Sequence, residues 1–100
     1  MSHFEPYKDL AEKNCRPQDN ENWAPLIDDK FIFVGLQESQ DMLPGYPVYW
    51  RITIYNSEAQ GVDKNFKDKE SAEETYNTLV AGSIPNRETL VNIWGFEWNH

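Results

Sequence analysis

Cysteine is nearly missing from this chain: Cys15 stands alone in 100 residues, so no intramolecular disulfide can form. That usage fits a reducing, cytoplasmic setting. Histidine is almost as scarce, with His3 and His100 near opposite ends. Zinc sites draw on Cys or His pairs a few residues apart, and without such a pair no metal is expected. The same scarcity leaves Cys15 without a histidine to activate it as a nucleophile. The five glycines are scattered and form no Walker-type or dinucleotide loop, so no cofactor is expected either. The longest apolar run, Phe31-Ile32-Phe33-Val34-Gly35-Leu36, falls far short of the roughly 20 residues of a membrane helix. Met1-Ser2-His3-Phe4-Glu5-Pro6 has no basic flank leading into an apolar stretch, so no signal peptide is expected. Basic side chains are few, nine against seventeen acids, for a formal net charge of −8. Such a balance repels nucleic acid and anionic membrane, and favours basic partners.

What the chain does have is bulk. Aromatic residues make up 14% of it, enough to fill a modest core despite an apolar fraction of 39%. The length suits one domain over residues 1–100 that buries roughly 60–70% of its unfolded surface. Residues 1–30 read as an irregular or helical segment packing on the sheet, and 31–98 as sheet and helix. Tyr7, Leu10 and Ala11 share one side of a short helix over 4–14. From Cys15 to Lys30 the chain reads as a loop, pinned by Trp23, Leu26 and Ile27.

Phe31–Leu36 reads as a central strand. Gln37 to Pro47 reads as a polar connection with Pro44-Gly45 as its turn. Val48, Trp50, Ile52 and Ile54 then alternate with Tyr49, Arg51, Thr53 and Tyr55, the clearest strand pattern in the chain. Asn56 to Gly61 closes a hairpin into a strand over Val62–Phe66. Asp68 or Ser71 caps a helix whose apolar stripe is Ala72, Tyr76, Leu79 and Val80, with Gly82 as its left-handed stop and Pro85 beyond. Thr89 to Trp98 reads as a last strand interrupted at Gly95. The fold class expected is α+β: two layers, a mostly antiparallel sheet of three to four strands, and one amphipathic helix packed on it.

No catalytic constellation is present, so an enzyme is not expected. Asp28-Asp29 and Glu73-Glu74 lack the surroundings of a calcium loop and read as solvated charge. Asp68, Glu70, Glu73 and Glu74 complement the positive end of the helix dipole. The loop acids Asp28, Asp29, Glu38 and Asp41 have no such local reason and form a candidate acidic face for a basic groove, in effect mimicking a phosphate backbone. Tyr49, Arg51, Tyr55 and Trp98 are candidate anchors beside them, being of the types enriched in interface hot spots. One helix covers one sheet face, so the N-terminal 30 residues or a partner must cover the other.

In composition, though in no motif, the chain resembles small acidic inhibitors that phage and mobile elements direct at host machinery. The function expected is a non-enzymatic protein-binding module that occludes a basic, nucleic-acid-binding surface of another protein. It would touch neither nucleic acid nor membrane itself. Self-association into a homodimer through the aromatic sheet face, or small-ligand binding, are the alternatives.

Overall fold

The computed structural model describes residues 7–18, 23, 31–39, 48–56 and 60–99. Five strands form one sheet in the order β1-β2-β3-β4-β5, every neighbouring pair antiparallel. They are β1 Tyr7–Cys15, β2 Ile32–Ser39, β3 Trp50–Tyr55, β4 Gly61–Phe66 and β5 Glu97–Asn99. Two helices, α1 Lys69–Val80 and α2 Arg87–Asn92, lie between β4 and β5 in the chain. The α+β class and the antiparallel sheet are as expected from the sequence; the strand count is higher.

The centre of the sheet follows its alternation. Ile32, Val34 and Leu36 of β2 and Ile52 and Ile54 of β3 are buried on one face, together with Val62 of β4. Against them pack Ala72, Tyr76 and Leu79 of α1 and Leu90 of α2. The Asp68 carboxylate accepts the Ser71 amide at 2.9 Å and fixes the start of α1. The helix ends at Ala81 in right-handed geometry, so Gly82 is not the left-handed stop the sequence suggested. Among the described glycines that conformation belongs to Gly95, with φ 81°, where the chain leaves α2 for β5. Beyond Gly95 the Phe96 side chain enters the core and its amide donates to the Leu90 carbonyl at 2.9 Å.

Two segments differ from expectation. Residues 7–15 form an edge strand rather than a helix. The spacing of Tyr7, Leu10 and Ala11 imitates a helical turn because the β1–β2 register slips between Asp9 and Ala11. The extra residue at this bulge sets Leu10 and Ala11 both against the core and changes the sense of the alternation. Residues 87–92 form α2 rather than a strand. Asn86 accepts the Thr89 amide at 2.8 Å, a side-chain cap that starts a helical turn over β-prone residues. Of those, Leu90 is buried whereas Ile93 is 78% exposed, a one-sided burial that a helix can satisfy.

The described parts of the N-terminal segment do not cover the second sheet face. After β1 the chain pairs with the segment following α1: Ile84 donates to the Arg16 carbonyl at 2.9 Å, and Gln18 donates to the Ile84 carbonyl. Trp23 is fully buried in the same core as the helices, and its carbonyl accepts from the Asn56 amide group at 3.0 Å. Of the residues expected to pin this segment, Trp23 sits in the core on the helix-covered side, and Leu26 and Ile27 lie outside the described residues.

A candidate protein interface on the open sheet face

The face opposite the helices is built by the alternate residues of every strand. Register places Phe33 beside Tyr55, Gly35 beside Thr53, and Gln37 beside Arg51. Thr53 is in turn beside Asp63, and Asp63 beside Glu97. On β1, Tyr7 and Asp9 occupy this face before the bulge, and Glu12 and Asn14 after it. Among the described residues, no helix packs here, and the large side chains are half-buried by one another.

Arg51 organises one half. Its Nε and Nη2 donate to the Gln37 side-chain oxygen at 3.0 and 2.7 Å, and its guanidinium lies 3.7 Å from the Tyr7 ring centroid. Gln37 passes the ordering on, donating to Asp9 at 2.9 Å. Tyr7 meets Tyr49 edge to face with 6.1 Å between centroids, and their hydroxyls are 2.7 Å apart. In the other half Tyr55 stacks on Phe33 with centroids 5.2 Å apart, and its hydroxyl donates to Glu12 at 3.4 Å. The guanidinium and the rings are thus held in place before any partner arrives, which lowers the entropic cost of binding.

Acids frame these rings. Asp9, Glu12, Asp63 and Glu97 share the face with the Arg51 cation. Desolvation raises the Tyr7 pKa, the hydrogen bond that its hydroxyl shares with Tyr49 adds to this, and the Arg51 cation opposes it. Tyr55 is raised as well, by desolvation first and then by the Glu12 carboxylate. A raised pKa means the folded state favours the neutral phenol. That contribution to stability is complete below about pH 10, the unfolded value, and is lost as pH rises through the folded value. Alkaline titration followed by phenolate absorbance should therefore show Tyr7 and Tyr55 ionising later than free tyrosine, with unfolding accompanying them. Tyr55→Phe should shift the alkaline unfolding midpoint upward; an unchanged midpoint would contradict this account.

The candidates named from the sequence separate. Tyr49, Arg51 and Tyr55 come together on the open face. Glu38 lies within β2 rather than in a connection, and accepts the Trp50 indole N–H at 3.0 Å on the opposite side. Trp98 also turns to the opposite side, since it pairs with the buried Val62, and the Arg87 guanidinium lies 4.7 Å from its ring. Asp28, Asp29 and Asp41 lie outside the described residues. Sequence reasoning missed Tyr7, Phe33 and Gln37. Strict alternation from Ile52 and Ile54 back through β2 would have found Phe33 and Gln37, whereas Tyr7 is hidden by the bulge.

Cys15 is buried, and desolvation raises its thiol pKa, which suits a core residue and not a nucleophile. No helix among the described residues is long and apolar enough to cross a membrane. The fold and its site thus define a small α+β domain with one helix-covered face and one ordered, aromatic and acidic face that is open among the described residues. Comparison with protein-family models, curated proteins and solved structures yields no match to this chain.

Proposed function

We propose that the chain is a non-enzymatic protein-binding module whose open sheet face docks on a basic surface of another protein. The observation that carries this reading is the convergence of Tyr7, Tyr49, Arg51 and Tyr55 amid Asp9, Glu12, Asp63 and Glu97. Ordered tyrosines supply contact area at low entropic cost, and the acids steer a cationic partner toward it. A partner that uses its basic surface to hold nucleic acid would be blocked by this contact, which gives the occluding inhibitor as its specific form.

Self-association through the same face is the weaker reading. Two copies face to face would set carboxylates against carboxylates. The β1 edge discourages strand addition too, since it carries exposed Lys8 and Lys13 and is broken by the bulge.

A Lys/Arg-rich decapeptide tests the charge logic. Its titration should shift the backbone resonances around Asp9, Glu12, Arg51 and Tyr55, with affinity falling steeply as salt rises. The exposed double variant Asp9→Lys, Glu12→Lys should weaken binding about tenfold and flatten the salt slope, each lost charge contact being worth up to about 1 kcal/mol. Shifts centred instead on Glu70, Glu73 and Glu74 of α1 would overturn the assignment of the face.

A further inference from the structure

On the helix-covered side, Arg87 has surroundings that the proposed interface does not explain. Its guanidinium lies between two indoles, 5.5 Å from the Trp23 ring centroid and 4.7 Å from that of Trp98. Its Nε is shielded from solvent and has no hydrogen-bond partner. Among the described residues its partners are the rings. Desolvation lowers its pKa from the usual arginine value, as expected of a cation short of both water and counter-charge. Stacking on aromatic faces recovers part of the desolvation cost, but it leaves the donors of the guanidinium plane unused.

Beside it opens a cavity of about 310 Å³ lined by Arg87, Glu88, Val91, Asn92 and Trp98. That is the lower end of the size range of small-molecule sites. Trp98 is 50% exposed and offers a flat apolar wall, Val91 adds apolar surface, and Asn92 brings an amide. The arginine fork matches a carboxylate in plane and spacing. Glu88 on the cavity wall, and the net charge of −8, disfavour a more highly charged anion such as a phosphate.

We propose that this cavity binds a small monocarboxylate carried on a flat apolar body, with the carboxylate forked onto Arg87 and the body stacked on Trp98. This site is separate from the open sheet face and stands whether or not that face binds protein.

Benzoate, benzyl alcohol and phenyl phosphate are the probes, each titrated into isotope-labelled full-length protein. Benzoate should saturably shift the Trp98 indole N–H and the Arg87 Nε–H resonances. Benzyl alcohol, which keeps the ring and lacks the charge, should bind at least tenfold more weakly, as should phenyl phosphate. Arg87→Lys keeps the charge but loses the fork, and should also cost at least tenfold. Should that variant fail to fold, Trp98→Ala at a half-exposed position serves in its place and should abolish saturable binding. Absence of a saturable benzoate shift in the unmodified protein would overturn the proposal. So would benzyl alcohol or phenyl phosphate binding as well as benzoate, or unchanged benzoate affinity in the variants.

Discussion

Replacing Trp23 by alanine is expected to remove about 3–5 kcal/mol of stability, a large part of the 5–15 kcal/mol a domain of this size has. Trp23 is among the largest side chains buried completely, in a core that otherwise consists mainly of aliphatic residues from β2, β3, β4, α1 and α2. Truncation would open a void that the sheet and helices, tied by their own hydrogen bonds, can only partly fill. The fall should appear in denaturant melts as a lower midpoint at unchanged slope. Trp23→Phe sharpens the test. The Trp23 indole Nε1 is buried without a hydrogen-bond partner, so phenylalanine removes an unsatisfied donor along with some volume. Its cost should therefore stay below about 1.5 kcal/mol, the limit usual for modest changes of hydrophobic shape. An alanine variant within about 1 kcal/mol of the parent would mean that Trp23 does not pin the chain to the core.

How much of this architecture was legible in the sequence depends on how local its cause is. β3 was legible because Ile52 and Ile54 alternate with Arg51, Thr53 and Tyr55, and the structure keeps that period without interruption. α1 was legible because its cap and its stripe of Ala72, Tyr76 and Leu79 lie within one continuous segment. β1 was not, because the bulge after Asp9 exists only in register with β2 and converts a period of two into a three-residue step. α2 was not, because Leu90 and Val91 open an apolar stretch that runs on to Trp98, and the decisive Asn86 cap lies just before the segment read as a strand. The site inherits these errors. Tyr49, Arg51 and Tyr55 share a face because they share the parity of β3. Trp98 belongs to the other face because β5 enters after the turn at Gly95, whose effect on parity no local pattern states.

Asn56 anchors the end of β3 beside Tyr55. Asn56 is completely buried; its side-chain oxygen accepts the Gln60 amide at 3.0 Å while its amide group holds the Trp23 carbonyl. One side chain thus ties the β3–β4 hairpin to the segment that carries Trp23. Tyr55, at the end of β3, is positioned on the open face by that hairpin and stacked there on Phe33. Whatever disturbs the hairpin should therefore be felt both in the core and at the proposed interface.

Gly61→Ala is the most direct such disturbance, and is expected to cost about 3 kcal/mol or more, the upper end for inserted groups. Gly61 opens β4, is buried, and pairs with Tyr55 on one side and Asn99 on the other. A β-carbon there would collide with the Ile54 carbonyl oxygen and stand 2.7 Å from the Tyr55 α-carbon. Both are backbone atoms of the neighbouring strand, so no side-chain rotation relieves the clash, and the hairpin must open or slip. A slip by one residue would turn the Val62 side of β4 outward. Gly82→Ala provides the contrast, since a β-carbon at Gly82 meets nothing within 4 Å and its backbone is not left-handed. That substitution should be neutral or stabilise by up to about 1 kcal/mol, through the unfolded chain's reduced entropy. The pair separates steric crowding from a general effect of replacing glycine. The Gly61 variant should also lose the stacking contact of Tyr55 with Phe33, seen as changed ring-current shifts, before it unfolds completely. Near-parental stability in Gly61→Ala would show that β4 does not approach β3 this closely, and the register that assembles the open face would have to be redrawn.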